Sequence, residues 1–427
     1  MKVIVVGAGL SGLAAARTLA REKAAVTVLD ARRRLGGRVL TMRDGFADDE
    51  YGELGGELVD PGQKEIRALC DELGLTLTRV LRGGFTHRFR GEDGHYYVSR
   101  TRPWQELERL LLPLVTKYRS TGGDVEAEPV KEIAALSLRE WLRQQNATRE
   151  QHAMADALRG FFAADPDDLS VLPVIEQMAN GGSPARTPMY RIEGGSDRLV
   201  DALARDLSSP VLLQHRVASI AQTSDRVVVS AMDADGLQQQ LDADAVVVTC
   251  PASTIPGITF TPPLPDAQAR AIRALRYGCA TKALVQTERA PFTGHARAFA
   301  TDSPIGAFWQ GPGRVLTFLG GGSASRTLRT RAERGAAALL AELCWLNLAG
   351  TPVIASHMCS WDDDAFARGG YAYFDAGFDP SARRLLRAPA GRVFFAGEHT
   401  SERWQGYMNG AIETGYRAAR EAIARKG

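Results

Sequence analysis

The apolar run Lys2 to Val6 ends at Gly7-Ala8-Gly9-Leu10-Ser11-Gly12, and no other stretch restricts the fold of this chain as tightly. Leu13 to Arg21 then reads as an alanine-rich helix, and a second apolar run, Val26 to Leu29, closes on Asp30. Strand, GxGxxG, helix, strand and acid, in this order and at nearly this spacing, make a dinucleotide fingerprint. Each residue type has its reason. Gly7 permits a tight turn, Gly9 lets the backbone approach a pyrophosphate, and Gly12 lets the helix pack on the strand. Asp30 can accept hydrogen bonds from an adenosine ribose. Glycine-rich turns alone are common; the flanking elements and the acid carry the assignment.

The other end of the chain supplies a complementary half. Val393 to Ala396 is long enough for one buried strand, Gly397 and Glu398 follow, and a polar turn carries Trp404, Gly406 and Tyr407. Met408, Ala411, Ile412, Gly415 and Ala419 then recur with helical spacing. A helix whose N-terminus points back into a glycine-bearing turn makes an anion site. Two nearer segments add to it. In Ala31 to Val39, Arg33 and Arg34 read as solvated loop charges, whereas Arg38 after Gly36-Gly37 suits phosphate contact and Arg32 is intermediate. Glu53 to Asp60 brings a second close-approach pair, Gly55-Gly56.

Between these ends, a helix is expected from Lys64 to Leu73 and a hairpin from Gly84 to Arg100, turning at Gly91 to Gly94. Trp104 to Leu172 is helical in pattern, with breaks at Pro103, Gly122-Gly123 and Pro166, and reads as a lid over a substrate. Tyr190 to Leu199 returns the chain to the nucleotide lobe, with a helix to about Asp206. Strands are expected at Val211 to Leu213, Val217 to Ile220, Arg226 to Ser230 and Ala245 to Thr249, then a proline-rich crossover at Thr259 to Pro265. The strand Thr281 to Thr287 carries Lys282, which composition alone reads as an edge or snorkelling residue. Further strands are expected in Ala298 to Thr317 and a helix over Ala332 to Asn347. The nucleotide lobe is thus built from three separated pieces, interrupted by two inserts.

At 427 residues two domains are expected. A net charge of +2 with dispersed arginines gives no footprint for nucleic acid. The five cysteines show no CxxC or CxH pairing, which argues against a disulfide framework or a metal site and fits reduced thiols in a cytoplasm. Lys2 and the apolar residues after it mimic a signal peptide, but their glycine spacing belongs to a strand and helix of the fold. No stretch reaches the ~18 apolar residues of a membrane span.

Taken together, the fingerprint with Gly36-Gly37-Arg38, Glu53 to Asp60, Tyr190 to Leu199, Thr259 to Pro265, Lys282, Trp361 to Tyr371 and Ala396 to Ala411 resemble the flavin-containing amine oxidase family. The resemblance implies an α/β fold. A Rossmann-like FAD-binding domain would be assembled from residues 1–80, 190–275 and 388–427, and an α+β substrate-binding domain with the helical lid from 81–189 and 276–387. It implies that Ser11, Asp30 (in place of the family's usual glutamate), Arg32, Gly37, Arg38 and the backbone of Val217 hold the ADP portion of FAD. Gly397 and Glu398 would face its ribityl or pyrophosphate part, Met408 would offer its N–H to the flavin O2 edge, and Trp361 would pack on the isoalloxazine. Lys282 would hold a water beside flavin N5, and Tyr371 and Tyr407 would frame the amine. Left to their local patterns, Tyr371 could be a core strand residue, Tyr407 a helix-cap contact and Trp404 either wall or core.

Two departures from the family sharpen the expectation. Gly370 stands where some members attach flavin through cysteine, which implies non-covalent FAD. Asp60-Pro61-Gly62-Gln63 lacks the arginine with which L-amino-acid oxidases clamp a carboxylate, although Arg191 or a lid arginine could substitute. Glu57 or Asp60 could meet a second ammonium or be surface charges. The implied function is oxidation of a small amine with O2 as acceptor and H2O2 as product, with a homodimer left open. An L-amino-acid oxidase, a C–C desaturase on the same fold and a non-catalytic flavin-binding protein are the alternatives.

Overall fold

The computed structural model describes residues 1–81, 83–99, 102–181, 187–292 and 298–425. Its centre is a four-stranded parallel sheet in the order Ala25–Leu29, Lys2–Val6, Ala245–Val248, Val393–Phe395. These strands read as unbroken apolar runs because both faces are covered. Val3, Val5, Val247 and Phe394 face the helices Leu10–Arg21 and Met408–Ala424. Ile4, Val6, Val246 and Phe395 face a second sheet, ordered Gln238–Ala243, Val227–Met232, Arg216–Gln222, Thr259–Thr261. The two helices pack through small residues: a Cβ on Gly415 would stand 2.3 Å from the Ser11 carbonyl. Their N-termini thereby meet at the C-terminal edge of the parallel sheet, where open α/β sheets take their ligands.

A seven-stranded sheet forms the other half, ordered Val353–Ser360, Ala280–Thr287, Val315–Gly321, Ala307–Gln310, Ala298–Thr301, Thr86–Arg90, Tyr96–Ser99. Six helices between Arg102 and Gly181 pack against it around Trp104, Leu107, Leu111 and Trp309.

Several local expectations fail for identifiable reasons. Val211 to Leu213 is no strand but a single bridge, Leu212 to Leu29, cut short by Gln214 at φ +58°. The helix expected over Ala332 to Asn347 is two helices, Ser323–Glu333 and Ala336–Ala341, separated at Gly335 with φ +101°. The strand Gln238–Ala243 and the helix Asp266–Ala274 escape a hydrophobic reading because the first is a polar edge and the second is largely solvated. The hairpin pairs Thr86–Arg90 with Tyr96–Ser99 through the expected Gly91 to Gly94 turn; Arg100 lies outside the described residues. Among the described residues no helix is long and apolar enough to cross a membrane.

Candidate active site

One cavity of about 540 Å³ runs from the glycine-rich turn to the seven-stranded sheet. Gly7, Gly9, Ser11, Asp30, Arg32, Gly37, Arg38 and Val217 line one part of it. Gly55, Gly56, Lys282, Trp361, Tyr371, Gly397, Glu398, Tyr407 and Met408 line the rest. Among the residues expected to bind FAD or act in catalysis, only Gly12 does not reach this cavity. It works one step behind, where a Cβ would fall 1.8 Å from the Gly7 carbonyl oxygen.

The dinucleotide end is braced through the acid. Asp30 accepts from the Ala8 N–H at 2.7 Å and the Arg32 N–H at 2.8 Å, which ties the glycine turn to the second strand. Arg32 pairs with Asp364 and lies 5.4 Å from the Phe366 ring centroid. Arg33 is exposed as expected, but Arg34 is not a solvated loop charge. Arg34 donates to the carbonyls of Leu35, Val39 and Gly37 and holds the Gly36-Gly37 turn shut. Thr249, Cys250, Arg216 and Arg368 also line the cavity and were not picked out from the sequence. Arg368, at φ +50° before two glycines, carried a local signal for a special turn. Burial pushes the Cys250 thiol up to about 12, so it is no thiolate at neutral pH.

Residues toward the centre are held by paired charges and glycines. Arg38 Nη1 donates to Glu398 Oε1 at 2.9 Å and to the Gly370 carbonyl at 2.8 Å. Glu398 also accepts from the Gly406 N–H at 2.8 Å and from Ala372 N–H at 3.3 Å. Burial pushes the Glu398 carboxyl upward, but the Arg38 guanidinium outweighs it and holds the group below its ordinary range. Gly406 (φ +82°) packs its backbone on the Tyr371 ring, where a Cβ would stand 3.2 Å from the ring edge. The Tyr371 hydroxyl donates to the Gly160 carbonyl of the helical insert at 2.6 Å, and Gln177 Nε2 donates to the Tyr407 hydroxyl at 3.3 Å. The helical insert therefore fixes both phenols. Trp404 stacks edge-on against Tyr407 at 5.7 Å, outside the cavity lining, and the Trp361 indole N–H donates to Leu54 O at 2.9 Å.

Lys282 sits in the seven-stranded sheet, only 6% exposed. Its ammonium donates to Glu57 Oε2 at 2.8 Å, Gly55 O at 3.0 Å and Glu53 O at 3.1 Å. An ammonium has three donors, and these three acceptors use them all, which leaves none for a water. Glu57 is neither a surface charge nor free for a substrate ammonium. Its other oxygen accepts from Trp309 Nε1 and Arg191 Nε, each at 3.0 Å. Arg191, spent on Glu57, is not available as a carboxylate clamp, and no lid arginine lines the cavity among the described residues. Asp60 also lies outside the lining; burial pushes its carboxyl up to about 6.

Glu53 contrasts with Glu57. Burial, then the charge of Glu57, pushes the Glu53 carboxyl up to about 7, while two cations bring Glu57 down to about 2 against its burial. For Glu53 the folded pKa lies above the unfolded one. Its contribution to stability is therefore full below about pH 4.5 and is lost as pH rises through about 7. Glu53→Gln is expected to remove that decline, and urea melts between pH 5 and 8 will register it as a flatter stability profile than that of the parent.

The cavity also has the donors and the room that FAD requires. Ser11 Oγ is buried, lines the cavity and has no partner in the protein. A Cβ on Gly9 would meet nothing closer than 4.0 Å, so the backbone there faces open space. The helices starting at Leu10 and Met408 point their orphan N–H groups into it.

The family of flavin containing amine oxidoreductases matches residues 10–423. The chain is 29% identical over 461 residues to a putative flavin-containing monoamine oxidase, AofH, of Mycobacterium tuberculosis, covering 99% of this chain and 96% of that protein. It is 26% identical over 464 residues to flavin-containing amine oxidase A of Equus caballus, covering 99% of this chain and 84% of the relative. A wild-type putrescine oxidase solved with putrescine superposes with a TM-score of 0.86 at 23% identity, with all of both chains covered. Cyclohexylamine oxidase from Brevibacterium oxydans IH-35A also reaches 0.86 at 23% identity, covering 100% of this chain and 99% of that one. At such identities the structures speak for the fold alone, whereas the match along nearly the whole chain settles its kinship: the protein belongs to the flavin containing amine oxidoreductase family, which implies FAD as its cofactor.

Proposed function

We propose that this chain is an FAD-dependent amine oxidase, converting an amine to an imine that hydrolyses to an aldehyde or ketone plus ammonia or amine. The observation that carries the reading is that Tyr371, Tyr407, Lys282 and the helix N-terminus at Met408 all line one cavity. Residues 1–80, 190–275 and 388–427 would hold FAD, and residues 81–189 and 276–387 would shape the substrate side. FAD, when bound, would accept two electrons from the amine and pass them to O2 as H2O2.

Each residue then has a task. The two phenols, anchored by Gly160 and Gln177, orient a neutral amine by their ring faces. The N-terminus at Met408 favours negative charge at its end of the cavity. Lys282 supports the oxygen half-reaction as a buried cation. Non-covalent attachment is supported at Gly370, where a Cβ would stand 2.5 Å from that of Ala280, so a cysteine there has no room. That no arginine of the helical lid lines the cavity among the described residues favours a substrate without a carboxylate. Five free cysteines suit a reducing compartment.

The test is anaerobic bleaching of the FAD-loaded protein by a panel of primary and secondary amines that includes putrescine and cyclohexylamine, followed by peroxide release in air. Bound flavin that none of them bleaches would end this reading. Lys282→Met is expected to fold, since Arg191 still neutralises Glu57, and to bind FAD. Its reoxidation by O2 should be slower by about tenfold or more, in line with the loss of one buried charge. Stopped-flow oxidation of the reduced variant measures this, and an unchanged rate removes the lysine from the oxygen reaction.

A further inference from the structure

We propose that Glu57 is a positioning residue that fixes both the charge and the direction of Lys282, making the ammonium a stationary positive charge in the cavity wall instead of a mobile proton donor. Glu57 belongs to the loop after Gly55-Gly56, Lys282 to Ala280–Thr287, Trp309 to Ala307–Gln310 and Arg191 to Met189–Ile192. One carboxylate therefore ties three strands and the glycine loop together. Oε2 takes Lys282, and Oε1 takes Trp309 and Arg191. The Trp309 ring lies 5.0 Å from the ammonium, so the same indole donates to the anion and faces the cation. All four side chains are nearly excluded from solvent.

A lone ion pair at such depth loses more in hydration than it gains. Here a second cation, an indole N–H and two backbone carbonyls complete the set, so both ions stay charged. The titratable and charged groups around Lys282 are Glu57, Glu53, Arg191 on Glu57, and the neutral phenol of Tyr51 near Arg191 and Glu53. Lys282, Arg191 and Glu57 together carry one net positive charge, which Glu53 cancels when it ionises. Lys282, Glu57 and Trp309 share the cavity with Tyr371, Tyr407 and Met408. The inference rests on the amine-oxidase reading only in taking Lys282 to face the flavin.

The test is the midpoint potential of the FAD-loaded protein, read at about pH 8.5 so that Glu53 is ionised throughout, and then swept upward in pH. Positive charge beside a flavin favours its reduced form. Glu57→Gln should raise the potential and add an alkaline step absent from the parent, as Lys282 without its counter-ion releases its proton. Arg191→Gln should lower the potential, a reversal of sign that mere loosening of the structure would not give. The double variant Glu57→Gln/Arg191→Gln removes one charge of each sign and covers the case in which the single variant does not fold. It should keep a near-parental potential and still show the alkaline step. Missing steps in both Glu57 variants, or shifts of one sign in the two single variants, overturn the proposal. Lys282→Met then separates the causes. A shifted potential in that variant leaves Lys282 beside the flavin without Glu57 as its support, whereas an unshifted one removes Lys282 from the flavin and the proposal falls with it, the amine-oxidase reading being decided separately by amine bleaching.

Discussion

Gly12→Ala is expected to give a protein that melts far below the parent and is colourless after gel filtration with added FAD, whereas Gly9→Ala loses FAD affinity alone. The two glycines sit three residues apart in one turn, and their surroundings are opposite. At Gly12 a methyl group would stand 1.8 Å from the Gly7 oxygen, 2.9 Å from Thr249 Oγ1 and 3.0 Å from the Gly7 carbonyl carbon. The nearest of these is backbone in the first strand turn, which cannot swing aside as a side chain would. The helix Leu10–Arg21 would have to lift off the sheet, carrying Leu13, Ala14 and Ala15 out of a core in which they are fully buried. The loss should exceed the roughly 1–3 kcal/mol of ordinary overpacking, and the ~1 kcal/mol that alanine gains over glycine within a helix does not offset it. At Gly9 the nearest atom to an added methyl is 4.0 Å away, so the cofactor-free protein should melt as the parent does. The methyl would then occupy the space a pyrophosphate needs, and FAD affinity should fall by about tenfold or more, the loss of one good contact. Thermal melts with and without FAD distinguish the two. A Gly9→Ala protein that binds FAD as tightly as the parent would show that the pyrophosphate does not lie against this turn.

This contrast also marks what can be read from the chain alone. Gly7, Gly12, Gly55 and Gly397 announce themselves because only glycine tolerates the close approach to backbone or the backbone angle there. Short apolar runs likewise gave the four central strands, whose neighbours on both faces are apolar. The cluster around Lys282 is different. Glu57 is separated from Arg191, Lys282 and Trp309 by 134, 225 and 252 positions, and its own context, Gly-Gly-Glu-Leu-Val-Asp, resembles a surface loop. Nothing local distinguishes a buried carboxylate with three partners from a solvated one. Gly160 and Gln177 were hidden for a related reason: they act through a carbonyl and an amide on phenols more than two hundred positions away. Gly335 was visible but outweighed by the alanines and leucines around it, although its φ of +101° ends the helix there.

Arg38→Met should produce the other large effect, and its pH dependence gives the cause. In the parent, Arg38 is the counter-ion of Glu398, whose carboxylate is 4% exposed and accepts from backbone N–H groups of Ala372 and Gly406. Methionine fills much of the volume of the side chain but leaves the carboxylate buried without a cation, a change that costs about 3–5 kcal/mol. The sign can be followed through the proton. With Arg38 present the folded Glu398 pKa is depressed, so its contribution is present above the unfolded value and is lost as pH falls through the folded one. Without Arg38, burial dominates and the folded pKa rises above the unfolded value. The penalty is then small in acid, where the carboxyl is protonated in both states, and grows as pH rises through the raised pKa. Parent and variant should accordingly differ least near pH 4 and most near pH 8 in urea melts of the FAD-free protein. FAD retention should fail separately, because the guanidinium lines the cavity and Glu398 no longer fixes the Gly406 turn beside Tyr371. A stability difference that stays constant from pH 4 to 8 would mean that the pair acts by packing and not by charge. The assignment of Glu398 as an ionised support for the cofactor end of the cavity would then have to be withdrawn.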